Sequence, residues 1–92
     1  MILSFKHKGL ELFFHTGKTA GIQPKHANKL RQQLTALDAA KNPLDMNVPS
    51  WNLHQLRGNL AEYWSIKVNG NWRLTFKFEN GHAEIVDYQD YH

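Results

Sequence analysis

This 92-residue chain predicts an α+β fold in which two N-terminal helices pack on one face of a twisted antiparallel sheet. Three observations carry that prediction. In the first half, Ala27, Leu30, Leu34 and Leu37 recur at helical spacing. In the second half, Trp72, Leu74, Phe76 and Phe78 alternate with Arg73, Thr75, Lys77 and Glu79, the period of a half-buried strand. Between two such alternating runs stands Asn80-Gly81, a dipeptide suited to a two-residue hairpin loop. A chain of this length builds one modest core, so residues 1–92 are expected to form a single domain.

Ile2 to Phe5 can open the fold as a short strand. A helix follows from Lys8 to His15, with Leu10, Phe13 and Phe14 on one side and Gly17 as terminator. The second helix is predicted from Pro24, which suits a first turn, to Ala40. Its other face, Lys25, Lys29, Gln32 and Gln33, reads as open to solvent. Asn42-Pro43 ends it, and loop continues to Ser50. From Trp51 the chain reads as sheet, with Trp64, Ile66 and Val68 alternating with Tyr63, Ser65 and Lys67.

Register follows from the turns. A two-residue Asn80-Gly81 loop pairs Phe78 with Ala83, Phe76 with Ile85 and Leu74 with Asp87, and sets Arg73 opposite Tyr88. A three-residue loop over 69–71 pairs Val68 with Trp72 and Ile66 with Leu74, keeping apolar faces together, with Asn71 left-handed. On this register Tyr88, Asp90 and His92 share the face of Arg73, and Tyr91 points with the core-facing set or at the sheet edge.

Composition narrows the chemistry. With 41% hydrophobic residues the chain is globular rather than disordered. It has no cysteine, which excludes a disulfide framework, a thiolate zinc site and a cysteine nucleophile. No His-x-x-x-His or HExxH spacing occurs, so neither a metal nor another cofactor is expected. Nothing resembles a signal peptide or a spanning helix, so the expectation is a cytoplasmic protein without a membrane partner. Residues 1–41 carry seven Lys/Arg against two acidic residues, whereas residues 42–92 carry four against six. The basic half reads as a docking surface for a polyanion, with Lys6, Lys8, Lys18, Lys25 and Lys29 as its candidates.

The terminal Asp90-Tyr91-His92 follows directly on a strand and supplies a carboxylate, a phenol and an imidazole. His54, Arg57 and Arg73 add a second imidazole and two cations. Cleaving an RNA phosphodiester without metal needs a base for the 2′-hydroxyl, an acid for the departing 5′-oxygen and cations around the phosphorane. Histidine serves both proton roles, and arginine clamps phosphate through its fork. Asp90 can hold an imidazole in one tautomer, and Tyr88 or Tyr91 can stack on a splayed base. His7, His15, His26 and His82 read as surface residues, and Trp51, Trp64 and Trp72 as core.

These residues also carry a resemblance. Phe5-Lys6-His7-Lys8-Gly9-Leu10 is followed by His54-Gln55-Leu56-Arg57-Gly58 and by Tyr63-Trp64-Ser65-Ile66 with Val68. Asn71-Trp72-Arg73 follows with Thr75, Phe76 and Phe78, and the chain ends Asp90-Tyr91-His92. In that order and spacing the chain resembles HigB-type toxins of bacterial toxin–antitoxin modules, within the RelE group of ribosome-dependent mRNA endonucleases. The resemblance implies a RelE-like fold whose open sheet face cleaves mRNA in the ribosomal decoding site and so inhibits translation and growth. It also implies a HigA-type helix-turn-helix antitoxin that neutralises the toxin, with operator DNA reached only through the complex. It places His54 and His92 in proton transfer, Asp90 and Tyr91 in aligning substrate or imidazole, and Arg73 at a phosphate. Arg57 stands where the family commonly has lysine, which keeps the charge but removes a lysine proton donor. Which histidine is the base stays open. Two other readings of the same residues are a non-catalytic RNA- or protein-binding module and a ribosome-independent ribonuclease.

Overall fold

The computed structural model describes residues 1–60 and 62–91. Helix α1 spans Lys8–Thr16 and α2 spans Ala27–Ala39. The four strands are β1 (His54–Gln55), β2 (Tyr63–Asn69), β3 (Trp72–Glu79) and β4 (His82–Asp90), paired antiparallel in sequence order. The expected α+β architecture is therefore observed, with a sheet built from consecutive hairpins.

Both helices begin and end for local reasons. His7 caps α1, its Nδ1 accepting from the Leu10 N–H at 3.0 Å. Gly17 ends it in the left-handed conformation, φ 81°, donating its N–H to Phe13. The second helix starts later than predicted. Pro24 opens a 3₁₀ turn over Pro24–His26, and regular α-helix begins only at Ala27. Leu10, Phe13, Leu30, Leu34 and Leu37 bury against Ile66, Leu74, Phe76 and Val86 of the sheet. Each such aliphatic or aromatic side chain contributes roughly 1.5–3 kcal/mol relative to an exposed one.

Two residues assigned to the surface are inside. Gln33 is fully buried, and its Nε2 donates to the Lys67 carbonyl at 2.7 Å, beside an irregularity in the β2–β3 ladder. His26, at 2% exposure, is also core, with Nδ1 2.6 Å from the Tyr88 hydroxyl. The expectation of sheet from Trp51 onward is also corrected. Pro49–Trp51 and Gly58–Leu60 are 3₁₀ turns on either side of a two-residue β1.

At the β2–β3 turn, Ile66 pairs with Leu74 as expected. Val68 does not pair with Trp72. The loop is the two residues 70–71, closing Asn69 against Trp72, and the left-handed residue is Gly70 rather than Asn71. At the β3–β4 turn, Asn80 and Gly81 both have positive φ, and Phe78 pairs with Ala83 as expected.

Beyond Glu84 the predicted register slips by one. Lys77 pairs with Glu84 but Thr75 pairs with Asp87, because a bulge inserts one extra residue into β4. Ile85 sits in that bulge at φ 55°. Everything after it changes face, so Val86 and Tyr88 are core and Arg73 lies opposite Gln89. The opening segment secures the bulge from the sheet edge. Ser4 accepts from Ile85 N–H through Oγ at 2.9 Å and from Val86 N–H through its carbonyl at 3.1 Å. Lys6 N–H donates to the Val86 carbonyl at 2.8 Å. Ile2 to Phe5 thus runs parallel to β4 as an edge segment, bridged to it at Ile2–Ala83 and Phe5–Val86.

Candidate active site on the open sheet face

Directly opposed residues of antiparallel strands project to the same side, so the pairings define the face that the helices leave uncovered. One row crosses the whole sheet: His54 opposes Ser65, Ser65 opposes Thr75, and Thr75 opposes Asp87. The adjacent row is Lys67, Arg73 and Gln89. The row on the other side is Tyr63, Lys77 and Glu84. This face is concave. Ser65 and Thr75 lie on it yet are buried, and a cleft of about 270 Å³ opens over Thr75.

Charge is arranged by position along the strands. Lys67 and Arg73 put two cations near the β2–β3 turn. At the other end Lys77 Nζ is surrounded by carboxylates of Glu62 at 3.2 Å, Glu79 at 3.7 Å and Glu84 at 3.9 Å. The Glu62 hydrogen bond and the surrounding acidic charge raise the Lys77 pKa and fix its positive form. A phosphate is therefore drawn to the Arg73 end of the face, away from Glu62, Glu79 and Glu84.

His54 is exposed, and its Nδ1 lies 3.1 Å from the Asn52 carbonyl. A carbonyl only accepts, so Nδ1 carries the proton and the neutral ring presents the Nε2 lone pair. That is the tautomer a general base requires. Asn52 is held for this contact by its own left-handed backbone, φ 50°. Arg73 Nη1 donates to the Gly70 carbonyl at 2.7 Å and to the Trp72 carbonyl at 3.0 Å. The guanidinium is thereby fixed over the β2–β3 turn, an anchorage that sequence reading did not foresee.

The remaining predicted site residues separate. Tyr91 is exposed, lines the cleft, and donates its backbone N–H to the Asn71 carbonyl at 2.8 Å. Asp90 opposes Trp72 and so does not share the face of Arg73 as expected, a consequence of the bulge, and is close enough to Tyr88 to disfavour the phenolate. Tyr88 is 3% exposed and stacked on Trp72 at 4.4 Å between ring centroids, so it cannot receive a base. His92 lies outside the described residues. Arg57 is exposed on the segment after β1. Of the five lysines, Lys6 alone borders the cleft. Lys8 is exposed at the start of α1, Lys18 follows its end, and Lys25 and Lys29 belong to the helical layer. Sequence reading passed over Lys67 and Gln89, and set Asp87 opposite Leu74 on the apolar side. Lys67 was readable, because pairing Ile66 with Leu74 already places it opposite Arg73; the places of Asp87 and Gln89 were hidden by the bulge.

The model of the family described as "RelE-like toxin of type II toxin-antitoxin system HigB" matches residues 3–92. This chain belongs to the HigB family. Endoribonuclease HigB of Proteus vulgaris is 46% identical over 92 residues, covering all of both chains. Toxin HigB-1 of Vibrio cholerae is 38% identical over 94 residues, covering all of this chain and 98% of that one. The toxin is an endoribonuclease. Two solved structures share its fold. YoeB in the YoeB–YefM complex from Staphylococcus aureus has a TM-score of 0.65 at 22% identity, covering 100% of this chain and 95% of that one. A point mutant of YafQ from E. coli has a TM-score of 0.60 at 19% identity, covering 98% and 91%. Among the described residues no helix of the toxin is long and apolar enough to cross a membrane.

Proposed function

We propose that the toxin, acting as one domain over residues 1–92, cleaves mRNA in the ribosomal A site by metal-free acid–base chemistry on the open sheet face. The observation that carries this reading is His54. Its Nδ1–H is tied to the Asn52 carbonyl, and its register places it on the same face as Lys67 and Arg73. Nε2 takes the proton of a 2′-hydroxyl, the 2′-oxygen attacks phosphorus, and the 5′-oxygen leaves with a proton from the C-terminal group. That group is His92, aligned by Asp90 and Tyr91. The products are a 2′,3′-cyclic phosphate and a 5′-hydroxyl. Arg73, with Lys67 beside it and Arg57 beyond β1, stabilises the phosphorane.

Lys6 and Lys8 contact RNA at the rim, and Lys18, Lys25 and Lys29 hold rRNA at longer range through counterion release. The setting is cytoplasmic. The toxin's family and the YoeB–YefM complex support a protein antitoxin, which we assign to the HigA helix-turn-helix type.

The test maps mRNA 5′ ends in a purified translation system with the toxin and with His54→Ala. New 5′-hydroxyl ends inside codons, reduced by at least about 10²-fold in the variant, are expected. Equal cleavage of the free mRNA would remove ribosome dependence, and wild-type cleavage by His54→Ala would remove the base.

A further inference from the structure

The cleft beside the cationic row has chemistry that phosphate binding does not explain. Its floor is Thr75, on β3. Leu56 and Tyr63 wall it on the β1–β2 side, and Lys6, Asp87, Gln89 and Tyr91 on the β4 side. At about 270 Å³ it is just below the roughly 300–1,000 Å³ of sites for drug-sized ligands, a size for a single ring system. Two tyrosines supply the aromatic surface on which splayed bases stack.

Asp87 is the informative group. Among the described residues it is the one carboxylate lining the cleft, and none of the described cations forms an ion pair with it. A carboxylate here repels a polyanion and weakens RNA binding unless ligand N–H groups meet it. Its orientation is already set, because Oδ1 accepts from the Tyr88 backbone N–H at 2.9 Å. Gln89 is set too, its Nε2 donating to Thr75 Oγ1 at 3.0 Å, which leaves Oε1 as an acceptor. Lys6, on the same wall, offers a donor.

We infer that this cleft receives one splayed nucleobase next to the scissile phosphate, and that Asp87, with Gln89 and Lys6, selects a base bearing an exocyclic amine and excludes uracil. An amine on the Watson–Crick edge donates to Asp87 while a neighbouring ring nitrogen or carbonyl accepts from Lys6. With the base held in the same place by its stack and the adjoining phosphate, uracil puts O4 where the amine would stand, so an oxygen confronts the carboxylate. The inference deepens the endonuclease reading and rests on it.

Cytidine and uridine differ mainly at this edge, so they make the cleanest probe pair. Titrating the toxin with cytidine 3′-monophosphate should shift the backbone amide signals of Thr75, Asp87 and Gln89, with uridine 3′-monophosphate about tenfold weaker or more. In the translation system, wild-type cleavage sites should lack uracil at one fixed position beside the cut. Asp87→Asn keeps the shape and the acceptor for Tyr88 N–H, and its amide N–H can meet a uracil carbonyl. Sites with uracil at that position should therefore rise about tenfold or more with an unchanged melt. Cleavage with no base bias in the wild type, or with the same bias in Asp87→Asn, overturns the base assignment and leaves the endonuclease intact. Cytidine-specific shifts without cleavage of translated mRNA leave the cleft's selectivity standing and overturn the ribosomal A-site reading instead.

Discussion

Removing the Tyr88 hydroxyl tests how the helical layer supports the active face. The phenol oxygen lies 2.6 Å from His26 Nδ1, and both side chains are buried, at 3% and 2% exposure. The backbone N–H of Gln23 also reaches the phenol oxygen. An oxygen that accepts from Gln23 donates its own hydrogen to His26 Nδ1, which places the imidazole proton on Nε2. Burial first, then Lys25, lowers the His26 pKa; burial first raises that of Tyr88, and Asp90 adds to it. Both groups are therefore held neutral. Tyr88→Phe keeps the ring on Trp72 but leaves one buried polar group, His26 Nδ1, without this partner. That loss costs about 1–3 kcal/mol. At about 4–8 °C per kcal/mol for a domain of this size, Tm falls by between about 4 and 24 °C. Adding His26→Leu should recover part of the loss, because replacing both partners by apolar groups is nearly neutral. Denaturant and thermal melts of the wild type, both single variants and the double variant complete the cycle. The acid side has a definite sign. His26 has a folded pKa below its ordinary 6.5, so the unfolded chain binds the extra proton and stability falls as pH drops from 6.5 through the folded pKa. His26→Leu should flatten that component. A Tyr88→Phe protein within about 0.5 kcal/mol of wild type, the range of a surface change, would refute this account of the pair.

Two further outcomes are expected. Arg73→Ala should lower the single-turnover cleavage rate at saturating ribosome complex by about 10²-fold, and Lys should restore part of it. Because Nη1 also holds the Gly70 and Trp72 carbonyls, Ala should lower Tm as well; a full rate with a lowered Tm would make the residue structural only. Gly9→Ala should destabilise by about 1–3 kcal/mol despite alanine's better helix propensity, because a Cβ there would overlap the Gly21 backbone. An unchanged or raised Tm would show that this close approach yields.

How far the sequence was legible depends on where local chemistry decided the structure. Gly17, Asn80-Gly81 and the spacing of Leu30, Leu34 and Leu37 each act through neighbours a few residues away, and each predicted its element. His26 and Gln33 failed for the opposite reason. Polar residues next to lysines on a helix pattern read as solvent-facing, yet both are buried by partners 62 and 34 residues distant, Tyr88 and the Lys67 carbonyl. A buried polar side chain is tolerable only with such a partner, and no local pattern announces one.

The candidate site turned on a single residue. Arg73 could be placed from strand alternation, and His54 was picked out by its chemistry and the resemblance, but Asp87, Gln89 and Tyr91 depend on Ile85. Left-handed bulge positions favour glycine, and a β-branched side chain at φ 55° costs on the order of 1–3 kcal/mol, so an Ile there reads as ordinary strand. The compensation comes from residues more than eighty positions earlier. Ser4 satisfies the Ile85 and Val86 N–H groups, Val86 and Tyr88 complete the core, and Lys6 is brought to the cleft by the same edge pairing. Without the bulge, Tyr88 would face solvent beside Arg73, and Asp87 and Gln89 would enter the apolar layer, where neither finds its present partner. The strain at Ile85 therefore selects which side chains of β4 can meet RNA, and the opening segment is part of the active face because it holds that strain in place.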